Sequence, residues 1–312
     1  VSSENLGKNA GLISGGSLLI DYMLTVAVSV SAGAEAITSA VPALYGHQVA
    51  ISVTIVLLLM MLNLRGLRES ASFLLFPVYT FILVISLLIV VGLYNIVTGA
   101  VPLQATALPG AAVPGVSIAL ILRAFSSGSS SLTGVEAISN AVPFFKKPRA
   151  KNAAATLTMM ALILGFFFVG ITFINYWYGI VPEKEVTVLS QIGKAVFGHG
   201  ILYYVLQFAT ALILAVAANT GFSAFPVLAY NLAKDKFMPH MYQDRGDRLG
   251  YSNGIITLAL GSIVLLFIFH GSTERLIPLY SIGVFIPFAL SQTGMVVKWK
   301  KEGKRWLSKS IA

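Results

Sequence analysis

Residues 20–29 read IDYMLTVAVS and lie within an apolar run from Gly11 to Val41, where they place an aspartate in a segment otherwise suited to lipid. A carboxylate at the centre of a bilayer costs at least about 2.5 kcal/mol, so Asp21 must face a protein interior or a water-filled cavity. The run is therefore read as one helix of a bundle that encloses something polar.

The composition agrees. Of 312 residues 56% are hydrophobic and 11% charged, and the mean hydropathy is +0.83. A soluble chain of this length would need a far more charged surface. Eight apolar stretches lie near 11–41, 48–63, 71–99, 115–143, 153–181, 199–230, 254–271 and 275–297. Each approaches or exceeds the ~20 residues that cross ~30 Å of hydrocarbon as a helix. Runs such as IVLLLMML are apolar on every face, which excludes the alternation of a membrane β-barrel.

The net charge of +9 has a topological reading. With Val1 on the cytoplasmic side, 17 of the 21 Lys and Arg fall in inner segments, Lys184, Lys194 and Arg275 fall in outer loops, and Arg123 lies within a span. This asymmetry orients a multi-pass protein with basic loops in the cytoplasm and makes nucleic acid an unneeded explanation. Cysteine is absent. His47, His199, His240 and His270 sit at span ends or in loops, without metal-ligand spacing. No phosphate-binding loop, dinucleotide fingerprint or nucleophile elbow occurs, so neither an ATP-driven pump nor an enzyme is expected.

Four charges fall inside spans: Asp21, Glu35, Arg123 and Glu136. At ~100° per residue Asp21, Tyr22, Thr25 and Ser29 share one helical face. A carboxylate with hydroxyl oxygens and no cationic donor suits a partly dehydrated hard cation. The fourth span centres on SSGSSSLTG, residues 126–134, which is poor in helix formers. A broken helix is expected there, with unwound carbonyls and half-helix ends lining an ion or substrate site. The segment VPEKEVTVLSQIGKAVF is amphipathic and placed outside, as a lid would be.

SSSLTGVEAISNAVPFFKKPRAKNA and AANTGFSAFPVLAYNLAKDKFMP resemble the sixth helix, the eighth helix and the following loop of permeases in the amino acid-polyamine-organocation (APC) superfamily. IDYMLTVAVSVSAG is similar to the third helix of KimA-type potassium importers, relatives of the KUP potassium transporters. The resemblance implies an all-α polytopic membrane protein with a LeuT-like fold of two inverted repeats. The eight spans would be the third to the tenth helices. Residues 1–312 would then be one transmembrane transport domain, incomplete at its front, beyond its last span and in any cytosolic regulatory domain. Val227 stands where the resemblance leads one to expect Arg.

Carried over residue by residue, the resemblance implies potassium ligands at Asp21, Tyr22, Thr25, Ser29, Thr133 and Tyr280, with Glu136 coupling a proton. The expected activity is potassium uptake by proton symport through alternating access, in a multi-pass protein of the bacterial plasma membrane. Potassium and protons are cargo, and no cofactor is expected. The expected partners are the lipid bilayer and a second copy in the full-length protein. Regulation by cyclic di-AMP would require a domain absent from this chain. Two alternatives stay open. In an amino acid permease the SSGSSSLTG backbone would bind a carboxylate and Asp21 an amine, and Arg123 beside the break fits that reading. In a non-transporting scaffold or sensor the intramembrane charges would bond to one another.

Overall fold

The computed structural model describes residues 2–66, 71–103, 117–129, 138, 142, 145–183, 186–244 and 251–303. Every regular element among them is helical. In chain order these are α1 (Ser2–Leu6), α2 (Lys8–Ala40), a 3-10 turn (Pro42–Leu44), α3 (Gln48–Leu64), α4 (Ala71–Val97) and α5 (Ile118–Ser129). Then follow α6 (Arg149–Trp177), α7 (Val188–Phe197), α8 (Ile201–Lys234), a second 3-10 turn (His240–Tyr242), α9 (Ser252–Ile268) and α10 (Thr273–Glu302).

Among the described residues five helices are long and apolar enough to cross a membrane: Lys8–Ala40, Leu75–Val97, Arg149–Trp177, Ile201–Lys234 and Thr273–Glu302. The 17-residue apolar helices α3 and α9 span ~25 Å each at 1.5 Å per residue. The molecule is an all-α polytopic membrane protein. Its outer faces carry large apolar side chains: Phe76, Tyr79, Leu83, Val90 and Tyr94 on α4, and Met159, Leu162, Phe166 and Val169 on α6, are all exposed. Their three-, four- and seven-residue spacing makes apolar stripes suited to lipid or to another apolar helix.

Helix ends extend past the apolar runs where local chemistry permits. α6 begins at Arg149, just after Pro148, whose φ of −79° leads into the helix. α8 continues to Lys234 and ends where Lys236 turns left-handed at φ 64°. There the Phe237 amide donates to Leu232 O at 2.8 Å, closing the last turn. α10 carries Lys300 and Lys301 in its last turn and stops at Gly303, φ 69°. The lysines complement the negative end of the helix dipole.

The fourth expected span is described only in part. α5 continues helically through Ser126, Ser127 and Gly128 to Ser129, so the first residues of the Gly/Ser stretch are helix. The rest of the expected break, with Thr133 and Glu136, lies outside the described residues, as does the side chain of Arg123.

The chain groups into two compact units. One comprises Val1–Ala34, Gly46–Ser70 and Leu214–Ala312; the other comprises Glu35–Tyr45 and Ala71–Ile213. In the first unit α3 packs on α9 and α1 on α10, around a core that includes Leu24, Val30, Phe222, Phe225 and Leu258. Small residues let its helices approach. A Cβ on Gly221 would stand 2.8 Å from Val26 Cγ2 and 3.3 Å from Tyr22 O, so α8 lies nearly backbone-to-backbone on α2. Such contacts replace the hydrophobic drive that helices lack in lipid.

In the second unit α4 packs on α6 and α7, with Ile85, Leu88, Ile89, Ile174 and Ile192 in its core. Polar bonds supplement that packing. Tyr203 Oη donates to Ser39 O at 2.8 Å and lies 2.7 Å from Ser190 Oγ. The Thr187 amide donates to Ser39 Oγ at 3.1 Å. The segment expected as a lid is thus the well-anchored α7: Thr187 caps its N-terminus, and Ser190 and Ile192 are fully buried.

Candidate cation site

α2 has no polar face in the usual sense, because it is apolar nearly all round and its polar residues are short. Asp21 nevertheless points inward and is 2% exposed. Tyr22, Thr25 and Ser29, on the same side, are half-buried. The first unit holds this stretch from three directions.

From α10, Tyr280 reaches in. Its side chain is buried, and its phenol oxygen accepts from Thr25 Oγ1 at 3.5 Å, the outer limit of a hydrogen bond. One turn further on, a Cβ on Gly283 would meet Leu24 Cδ1 at 3.5 Å, Asp21 Cα at 3.6 Å and Asp21 Cβ at 3.7 Å. The α10 backbone therefore rests directly on the residue that carries the carboxylate. From α9, Ser262 Oγ donates to Met23 O at 3.1 Å, and a Cβ on Gly261 would lie 2.6 Å from Met23 Sδ. From α8, Gly221 closes on Tyr22 O and Val26.

A further bond ties α8 to α3. Asn63 Nδ2 donates to Asn219 Oδ1 at 2.7 Å and to Leu59 O at 2.8 Å. The Asn63 amide donor thus meets the Asn219 amide acceptor between two largely apolar helices, a bond that restrains the rotation of α8.

The structure brings Asp21, Thr25 and Tyr280 together. Tyr22 and Ser29 share their helix face, whereas Thr133 and Glu136 lie outside the described residues. Glu35 falls in the second unit. The packing contributions of Ser262, Asn63, Asn219 and Gly283 were not anticipated from the sequence. The only hint was a polar or small residue inside an apolar run, a signal shared with many positions that bond only to their own helix.

Chemically, one buried carboxylate neutralises one positive charge. Hydroxyl oxygens on the same helix face would replace part of a hydration shell without adding charge, so the arrangement would suit a monovalent cation better than a divalent one.

The architecture defines a multi-pass helical membrane protein with an inward carboxylate among hydroxyls. The family model described as "Amino acid permease" matches residues 1–311, and the chain belongs to that family. It is 58% identical over 314 residues to "Potassium transporter KimA" of Bacillus subtilis (strain 168), covering 100% of this chain and 52% of that protein. The chain thus spans about half the length of this curated relative.

Proposed function

We propose that this chain is the membrane part of a secondary active transporter that takes up potassium. The observation that carries this reading is the convergence of Asp21 with Thr25 and Tyr280. The name of the 58% identical relative supports the same cargo. Potassium would be held by Asp21, Tyr22, Thr25, Ser29 and Tyr280, with Thr133 contributed from the fourth span. Coordination by hydroxyl and carbonyl oxygens suits a large ion that sheds its water readily. The uphill step would be driven by protons, with Glu136 as carrier, because a charged carboxylate within an apolar span is costly and a proton relieves that cost. The site would open alternately to each side of a bacterial plasma membrane, with the basic loops cytoplasmic.

A second reading rests on the family description, "Amino acid permease". Asp21 would then hold an ammonium group, which carries the same single charge. One experiment separates the two. In the full-length protein reconstituted into vesicles, saturable uptake of rubidium-86 that potassium inhibits and Asp21→Asn weakens by about a hundredfold or more is the expected result. Uptake of amino acids, inhibited by an amine and indifferent to potassium, would replace the potassium reading with the permease one.

A further inference from the structure

α10 runs unbroken from Thr273 to Glu302 although Pro278 and Pro287 lie inside it. A proline has no N–H, so the helical bond normally given to the carbonyl four residues earlier does not form. Pro287 therefore leaves the Gly283 carbonyl without its ladder donor. Gly283 is the residue whose backbone rests on Asp21. The two residues are 40° apart around the helix, and both are buried, so the opening left by Pro287 is on the inner face.

The geometry points to the Gly283 carbonyl oxygen as a main-chain ligand of the cation held at Asp21. This rests on the reading of Asp21 as a cation site. A carbonyl and a carboxylate are both acceptors, and Tyr280, the phenol of the same α10 segment, has one proton to give. With the Gly283 backbone packed against Asp21 Cα and Cβ, a positive charge held by the carboxylate would be stabilised by a carbonyl freed from its ladder, which presents its full dipole to that charge. Carbonyl oxygens are the ligands that replace potassium's hydration shell in selective pores. A backbone gap at membrane depth persists where it lines a cavity or is buried in protein. Glycine at position 283 permits the approach, since a side chain larger than methyl would occupy the space beside Asp21. The other proline of α10 serves as a comparison. Pro278 frees the carbonyl of Glu274, nine residues or ~13.5 Å up the helix from Gly283.

The test uses the full-length protein in vesicles, with potassium-inhibitable rubidium-86 uptake as readout. Pro287→Ala restores an N–H to Gly283 and is expected to raise the half-saturation concentration about fivefold to tenfold, equivalent to ~1–1.4 kcal/mol. Pro278→Ala should stay within about twofold of wild type, since its restored bond ends far from Asp21. Incorporating the α-hydroxy analogue of alanine at position 287 removes the N–H again without the proline ring, and should return the wild-type value. If Pro287→Ala does not fold, Pro287→Ser restores the same N–H and takes its place. Wild-type half-saturation in the N–H-bearing variant, or an equal shift in the α-hydroxy protein, would overturn the carbonyl assignment while leaving the potassium reading intact. Wild-type uptake by Asp21→Asn would remove the potassium site itself, and the inference with it.

Discussion

The Thr25 hydroxyl on α2 lies 3.5 Å from the phenol oxygen of Tyr280 on α10, across 255 positions of sequence. That contact joins the helix bearing the buried carboxylate to a helix whose ladder is interrupted twice by proline. A long hydroxyl–hydroxyl contact contributes little to stability, so its interest lies in the two oxygens it leaves facing the same place. Tyr280→Phe should therefore keep the folded protein intact and raise the half-saturation for potassium about threefold to tenfold, the equivalent of one modest polar interaction. A melting temperature lowered along with unchanged uptake would make Tyr280 a packing residue.

Within α2 the four expected ligands should differ in weight. Ser29→Ala removes a half-buried hydroxyl that water can replace, so uptake should shift less than about threefold. Asp21→Asn removes a full charge from a low-dielectric site and should shift it by about a hundredfold or more. Equal effects of the two substitutions on uptake kinetics would contradict the ligand assignment.

Glu136→Gln in the full-length protein tests coupling separately from binding. A permanently neutral side chain at that position should abolish accumulation driven by an inward proton gradient while potassium still protects the protein against thermal unfolding. Undiminished proton-driven uptake would leave Glu136 with a structural role.

Two glycines of α9 make a matched pair for the packing. A Cβ on Gly254 would lie 2.8 Å from Pro226 Cα, a backbone atom on α8, whereas one on Gly261 would lie 2.6 Å from Met23 Sδ, the end of a flexible thioether. Methionine can swing aside and a backbone cannot. Gly254→Ala should cost about 1–3 kcal/mol by overpacking, and Gly261→Ala should cost less, read as the difference in thermal unfolding in detergent. Equal losses would mean that α8 and α9 adjust as rigid bodies.

In the second unit, Tyr203→Phe would strip a buried hydroxyl from Ser39 O and from Ser190 Oγ together. Each single change, Tyr203→Phe or Ser190→Ala, should destabilise by about 1–3 kcal/mol. The double variant should cost less than their sum, because both remove one shared bond. Additive losses in chemical unfolding would show that the two hydroxyls act independently.

What the sequence determined by itself was everything local. Hydropathy is a property of each segment, so the apolar runs at 48–63 and 254–271 became α3 and α9 within a few residues. A carboxylate in such a run is costly wherever the run sits, so the burial of Asp21 is legible in the sequence itself. Helix ends were less so, because α8 and α10 extend past their apolar runs into residues whose capping and charge decide the stop. The tertiary structure alone decided what lies opposite Asp21. Pairings such as Thr25 with Tyr280, Gly283 with Asp21, and Asn63 with Asn219 depend on the rotation and crossing of each helix. Those are set by small residues and side-chain shapes on several helices at once, and a helix that is apolar all round carries no periodic stripe from which its inward face can be read.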